Sequence, residues 1–100
     1  MGQRHGYESA SQRRRGRKMS RKIFEALKLL QPDWNSYDAS AIDREAIRAA
    51  ELIALALAHS PQIAPTATGG VQLEWHTEGI DLEIEIKKDL SIEVFYEEAN

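Results

Sequence analysis

The run Val71-Gln72-Leu73-Glu74-Trp75-His76-Thr77-Glu78-Gly79-Ile80-Asp81-Leu82-Glu83-Ile84-Glu85-Ile86 decides the fold. Apolar and polar residues alternate along it with a period of two, interrupted at Glu78-Gly79. That period sends successive side chains to opposite faces, so the run reads as two half-buried antiparallel strands joined by a tight turn. Directly opposed residues share a face, so the loop must be even in length for the apolar sets to meet. A two-residue turn at Glu78-Gly79 pairs Trp75 with Leu82 and Leu73 with Ile84. A four-residue loop from His76 to Gly79 keeps the same parity and pairs Trp75 with Ile80.

Toward the C-terminus, Leu90, Ile92, Val94 and Tyr96 alternate with Ser91, Glu93 and Phe95, which makes a third strand. Here the loop must be odd. Lys87-Lys88-Asp89 pairs Ile86 with Leu90, Ile84 with Ile92 and Leu82 with Val94, and puts Asp89 at the position that often needs a left-handed residue. Toward the N-terminus, Gly69-Gly70 supplies a tight turn into Val71. A phosphate loop is not the reading there, because neither a following helix nor a Gly-x-x-x-x-Gly-Lys pattern is present. Residues 62–64 add a fourth strand, which Pro61 and Pro65 restrict to an edge.

Before residue 60 the period is helical. Ile23, Phe24, Leu27 and Leu30 form one stripe, with Ser20 as N-cap and Pro32 as the stop, so the first helix is expected over about 21–30. Asp43 is an N-cap for a second helix running to about His59, and Ile42 and Ile47 have the spacing of a hydrophobic staple. The second half of that helix is apolar nearly all round, which predicts burial on more than one side. Residues 32–41 connect the two helices. The expectation is an α+β domain in the order ααβββ: two helices on the apolar face of a three- or four-stranded antiparallel meander. Leu73, Trp75, Leu82, Ile84, Ile92 and Val94 are expected on the helix-covered face.

The formal net charge of −3 over 100 residues hides two opposite halves. Residues 1–22 hold eight basic residues against one acid, a balance of +7; the rest hold five against fifteen, a balance of −10. Residues 1–18 are almost devoid of apolar side chains and rich in Gly, Ser, Gln and Arg, so they read as a flexible basic arm, disordered when free, attached to a domain over 19–100. The chain has no cysteine, which excludes disulfides, thiolate zinc sites and a cysteine nucleophile. No apolar run reaches the ~18 residues of a membrane span, and no apolar segment follows the basic N-terminus as in a secretory signal, so the expected location is cytoplasmic.

Three surfaces could meet a partner. The first is the acidic sheet face: Glu74, Glu83 and Glu93 fall in one row across three strands, flanked by Asp81 and Glu85. Like charges opposed on a sheet are destabilising. The bland reading is a solvated face that keeps strands from pairing wrongly; the functional one is a docking surface for a basic partner or for this chain's own basic arm. The second is the aromatic pair Trp34 and Tyr37 in the connector, either caps on a small core or interface residues. The third is the basic cluster Arg13, Arg14, Arg15, Arg17 and Lys18 with Arg21 and Lys22, which suits nucleic acid. Tyr7 is its one nearby aromatic, thin support for base stacking. No catalytic constellation, metal-ligand spacing or cofactor motif is present: His76 stands alone beside carboxylates, and His5 and His59 are far from it in sequence.

The string Asp33-Trp34-Asn35-Ser36-Tyr37-Asp38-Ala39, the Pro61-to-Thr66 segment and Gly69-Gly70-Val71-Gln72-Leu73-Glu74-Trp75-His76 together resemble a family of small uncharacterised bacterial and phage-associated proteins. The resemblance covers about residues 32–97 and departs from the family at Lys88-Asp89-Leu90, where an Asp-Gly turn is more usual. It implies the fold and a bacterial context, and brings no activity. The function expected is that of a non-enzymatic binding protein that occludes a partner, as antitoxins and anti-CRISPR or other defence inhibitors do. The partner expected is a protein or ribonucleoprotein with a basic surface; a second copy would also help so small a domain. The alternative is a nucleic-acid-binding accessory protein that uses the arm.

Overall fold

The structure, a computed structural model, describes residues 9–57 and 59–99. It has two helices, α1 (Ala10–Leu27) and α2 (Arg44–Ala56), and four strands, β1 (Gln62–Pro65), β2 (Val71–Thr77), β3 (Ile80–Ile86) and β4 (Ile92–Glu98). The strands form one antiparallel sheet in the order β1-β2-β3-β4, so the fold is α+β, with the short edge strand β1 present.

The first hairpin has the two-residue turn. Trp75 opposes Leu82 and Leu73 opposes Ile84. Glu78 (φ 54°) and Gly79 (φ 76°) are both left-handed, the mirror-image turn whose twist matches the flanking strands. The second hairpin is shifted from expectation. Its loop is Lys88-Asp89-Leu90, so Ile86 opposes Ile92, Ile84 opposes Val94 and Leu82 opposes Tyr96. The cause is local: Leu90, not Asp89, takes the left-handed conformation (φ 71°), while the Asp89 carboxylate accepts hydrogen bonds from the Ser91 N–H (2.9 Å) and hydroxyl (2.6 Å). Parity survives the shift, so every apolar residue keeps its face.

α1 begins eleven residues earlier than the stripe at Ile23 suggests. Its N-cap is Ser9, not Ser20. The Ser9 hydroxyl accepts from the Gln12 N–H (3.1 Å) and the Gln12 side chain accepts from the Ser9 N–H (2.8 Å), a complete capping box. Residues 10–18, expected to lack structure, are therefore helical; residues 1–8 of the expected arm lie outside the described residues. Composition misled here because Arg, Lys and Gln are good helix formers, and extending an existing helix avoids the cost of nucleation. The least exposed residues of α1 (Arg13, Gly16, Ser20, Ile23, Phe24 and Leu27) recur every three or four positions, one stripe turned toward the body. At Gly16 a side chain would collide with Ser60, so glycine lets the helix approach closely.

α2 starts as expected, with the Asp43 carboxylate accepting from the Ala46 N–H (3.0 Å), but stops at Ala56 rather than His59. The core joins Phe24 and Leu27 of α1, Ile42, Ala46, Ile47 and Ala50 around α2, and Val71, Leu73, Trp75 and Ile86 of the sheet. The Trp75 indole N–H donates to the His59 carbonyl (2.7 Å). Gly70 is tight against the backbone of Ile86, a close approach that fits the glycine pair to its turn.

The helical layer is narrower than the sheet. α1 meets β1, and α2 meets β2 and β3; neither helix contacts β4. Two expectations change accordingly. Leu52 and Leu55 of α2 are exposed instead of buried on a second side. On β4, Ile92 (51% exposed), Val94 (62%) and Tyr96 (56%) share the apolar face of Ile84 and Leu82 but are not covered by helix.

Candidate functional site

The outer face of the sheet brings most of the expected acidic residues together, in a different row. Glu74 opposes Glu83 as anticipated, but the register of the second hairpin sets Glu83 against Phe95, Glu85 against Glu93 and Asp81 against Glu97. The row Glu74–Glu83–Glu93 is thus broken, and an aromatic residue stands where the third carboxylate was expected. Phe95 is 54% exposed on this face. It lines an open depression together with Gln72, Glu83, Glu85, Glu93 and Val94. An aromatic face ringed by carboxylates attracts a guanidinium or ammonium group, through the ring quadrupole and through charge. Phe95 was missed in the sequence because it occupies a polar position in the alternation of β4; that misplacement is itself the signal that could have found it.

The carboxylates differ in how far they are neutralised. Gln72 donates to Glu74 (2.7 Å) and, at longer range, to Glu83 (3.4 Å). Lys87 bridges to Glu93 at 2.9 Å, and that hydrogen bond and charge raise the lysine above its ordinary value. Glu85 and Glu97 have no salt bridge among the described residues. His76 lies between two acids, with Nδ1 2.7 Å from Asp81 and Nε2 3.1 Å from Glu74. Those two hydrogen bonds, Asp81 first, raise its pKa above the ordinary value.

The connector splits the aromatic pair. Trp34 is half-buried, packs against the core and donates its indole N–H to the Ser40 carbonyl (2.8 Å), so it caps the core. Tyr37 is 86% exposed. Around them Asp33, Ser36 and Asp38 all have left-handed φ of 66°; the Asp38 N–H donates to the Asp33 carboxylate, and the Tyr37 and Ala39 N–H groups donate to the Asn35 side-chain oxygen.

The basic cluster lies on α1. Arg14, Arg15, Arg17, Lys18, Arg21 and Lys22 are exposed, and Arg13 is half-buried. Among the described residues no acid occupies the first turn of that helix. Among the described residues no group of three or more potential ligands could hold a metal ion, and no helix is long and apolar enough to cross a membrane. Compared with known families, curated proteins and solved structures, the chain shows no match in any of the three.

Proposed function

We propose that this chain is a non-enzymatic binding protein that occludes a partner by receiving its basic side chains on the outer sheet face. The observation that carries the reading is Phe95, exposed beside Glu83, Glu85 and Glu93. A solvated face kept polar for solubility has no use for an exposed phenylalanine, whereas exposed aromatic anchors surrounded by charge are typical of binding hot spots. The partner is a protein or ribonucleoprotein with a basic surface. A bacterial or phage setting, with an antitoxin-like or defence-inhibitor-like role, is the context that fits such occlusion.

The test uses the whole chain as bait against a bacterial lysate, beside Phe95→Ala and Glu83→Gln baits. Both substitutions lie on an exposed or half-exposed face, and Glu83→Gln removes one of two opposed carboxylates, so neither should lower stability. The expected result is a basic partner held by the parent chain, released by moderate salt, and lost from both variants. Equal retention by all three baits would sink the reading.

A second reading is favoured by the six exposed cations on α1: a helix that contacts nucleic acid phosphates. Its signature is steeply salt-dependent binding to duplex or single-stranded nucleic acid that is lost on replacing Arg14, Arg15, Arg17, Lys18, Arg21 and Lys22 with Gln and is indifferent to Phe95→Ala.

A further inference from the structure

The two edges of the sheet are unlike. β1 is four residues long, ends in Pro65 and is flanked by α1. Those are the usual protections of an edge strand. β4 is seven residues long, has no proline and carries exposed apolar side chains on both faces. Its backbone direction follows from the hairpin. The Lys87 N–H donates to the Ser91 carbonyl and the Ala99 N–H to the Gly79 carbonyl, so odd-numbered residues of β4 turn their backbone groups toward β3. By the alternation of antiparallel ladders, Ile92, Val94 and Tyr96 turn theirs outward to the open edge.

We infer that the occupant of this edge is a second copy of the chain, with β4 pairing antiparallel to β4 about a two-fold axis at Val94. Charge and apolar pairing together select the register. Same-face pairing allows only registers centred on a residue. Centring on Phe95 sets Glu93 against the second copy's Glu97, and centring on Glu93 sets it against itself. Centring on Tyr96 avoids like charges but puts Val94 against Glu98 and loses Ile92. Centring on Val94 opposes Val94 with Val94, Ile92 with Tyr96 and Glu93 with Phe95, apolar with apolar and no carboxylate on a carboxylate. The same register joins the outward N–H and C=O groups of all three residues in hydrogen-bonded pairs. The interface is isologous, as a closed dimer requires. It also brings the second copy's Glu93 beside Phe95, so each depression on the outer face gains a carboxylate from the other subunit. The dimer does not depend on the proposed partner, and each can fail alone.

The test is sedimentation of the full chain over a concentration series, with amide exchange on the same samples. A dimer is expected, with slow exchange at Ile92, Val94 and Tyr96 that becomes fast on dilution. Val94→Pro removes an N–H that faces solvent in the monomer, a position where an edge strand tolerates proline. It should weaken the dimer by at least about 30-fold, because the symmetric pair loses both donors. Val94→Lys, which keeps the backbone donor, should do likewise through the apolar contact. A chain that stays monomeric, a dimer unaffected by both substitutions, or a dimer whose Ile92, Val94 and Tyr96 amides remain unprotected would overturn the inference.

Discussion

His76 shows how one side chain links the acidic face to pH. Bonds to Asp81 and Glu74 raise its pKa in the folded chain above the ordinary value near 6.5. A raised histidine adds stability that is fully present below its unfolded pKa and is lost as pH rises through the folded one. His76→Ala should therefore flatten the decline in stability above about pH 6.5, as read from thermal midpoints across pH. Binding of a basic partner moves the other way, since deprotonation removes a positive charge from the face. Core residues follow a different rule. Leu73 is fully buried between sheet and helices, whereas Ile84 is only partly covered. Leu73→Ala should cost about 2–5 kcal/mol and Ile84→Ala clearly less. Equal shifts of the urea midpoint would mean that the apolar face of β3 is covered as fully as that of β2.

At the scale of elements, α1 is where composition and structure part. The fit at Gly16 predicts that Gly16→Val lifts the N-terminal half of the helix from Ser60 while leaving the sheet intact. Amide exchange over residues 10–18 should then speed up with little change over 71–96; exchange over 10–18 that stays as slow as in the parent chain would show that Ser60 does not anchor the helix. The strands were legible because period two runs through residues 71–76, 80–86 and 90–94 and breaks at the turns between them. The helix start was not read, although Ser9-x-x-Gln12 spells a capping box, because the apolar stripe gives way there to Gly16 and Ser20, small residues that pack without looking hydrophobic. The register of β4 was missed by two residues because loop parity allows both loops, and the choice fell to an unexpected left-handed leucine at position 90. That shift sets Glu93 opposite Glu85 instead of Glu83 and brings Phe95 opposite Glu83.

For the whole molecule, the limiting dimension is the width of the helical layer. Two helices roof three strands, and the fourth strand is left to find its own cover. Sheet order also equals chain order, with every strand hydrogen-bonded only to its sequence neighbours. A sheet built this way closes short loops one after another and pairs its strands without waiting for distant segments to meet, so the entropy lost before each reward is small. The sheet should consequently assemble quickly, hairpin by hairpin outward from Glu78-Gly79. Speed has a cost at the last strand: β4 offers an unguarded template while the chain is still at low concentration of partners. Nascent chains of this protein meet the choice between correct pairing and aggregation at that edge.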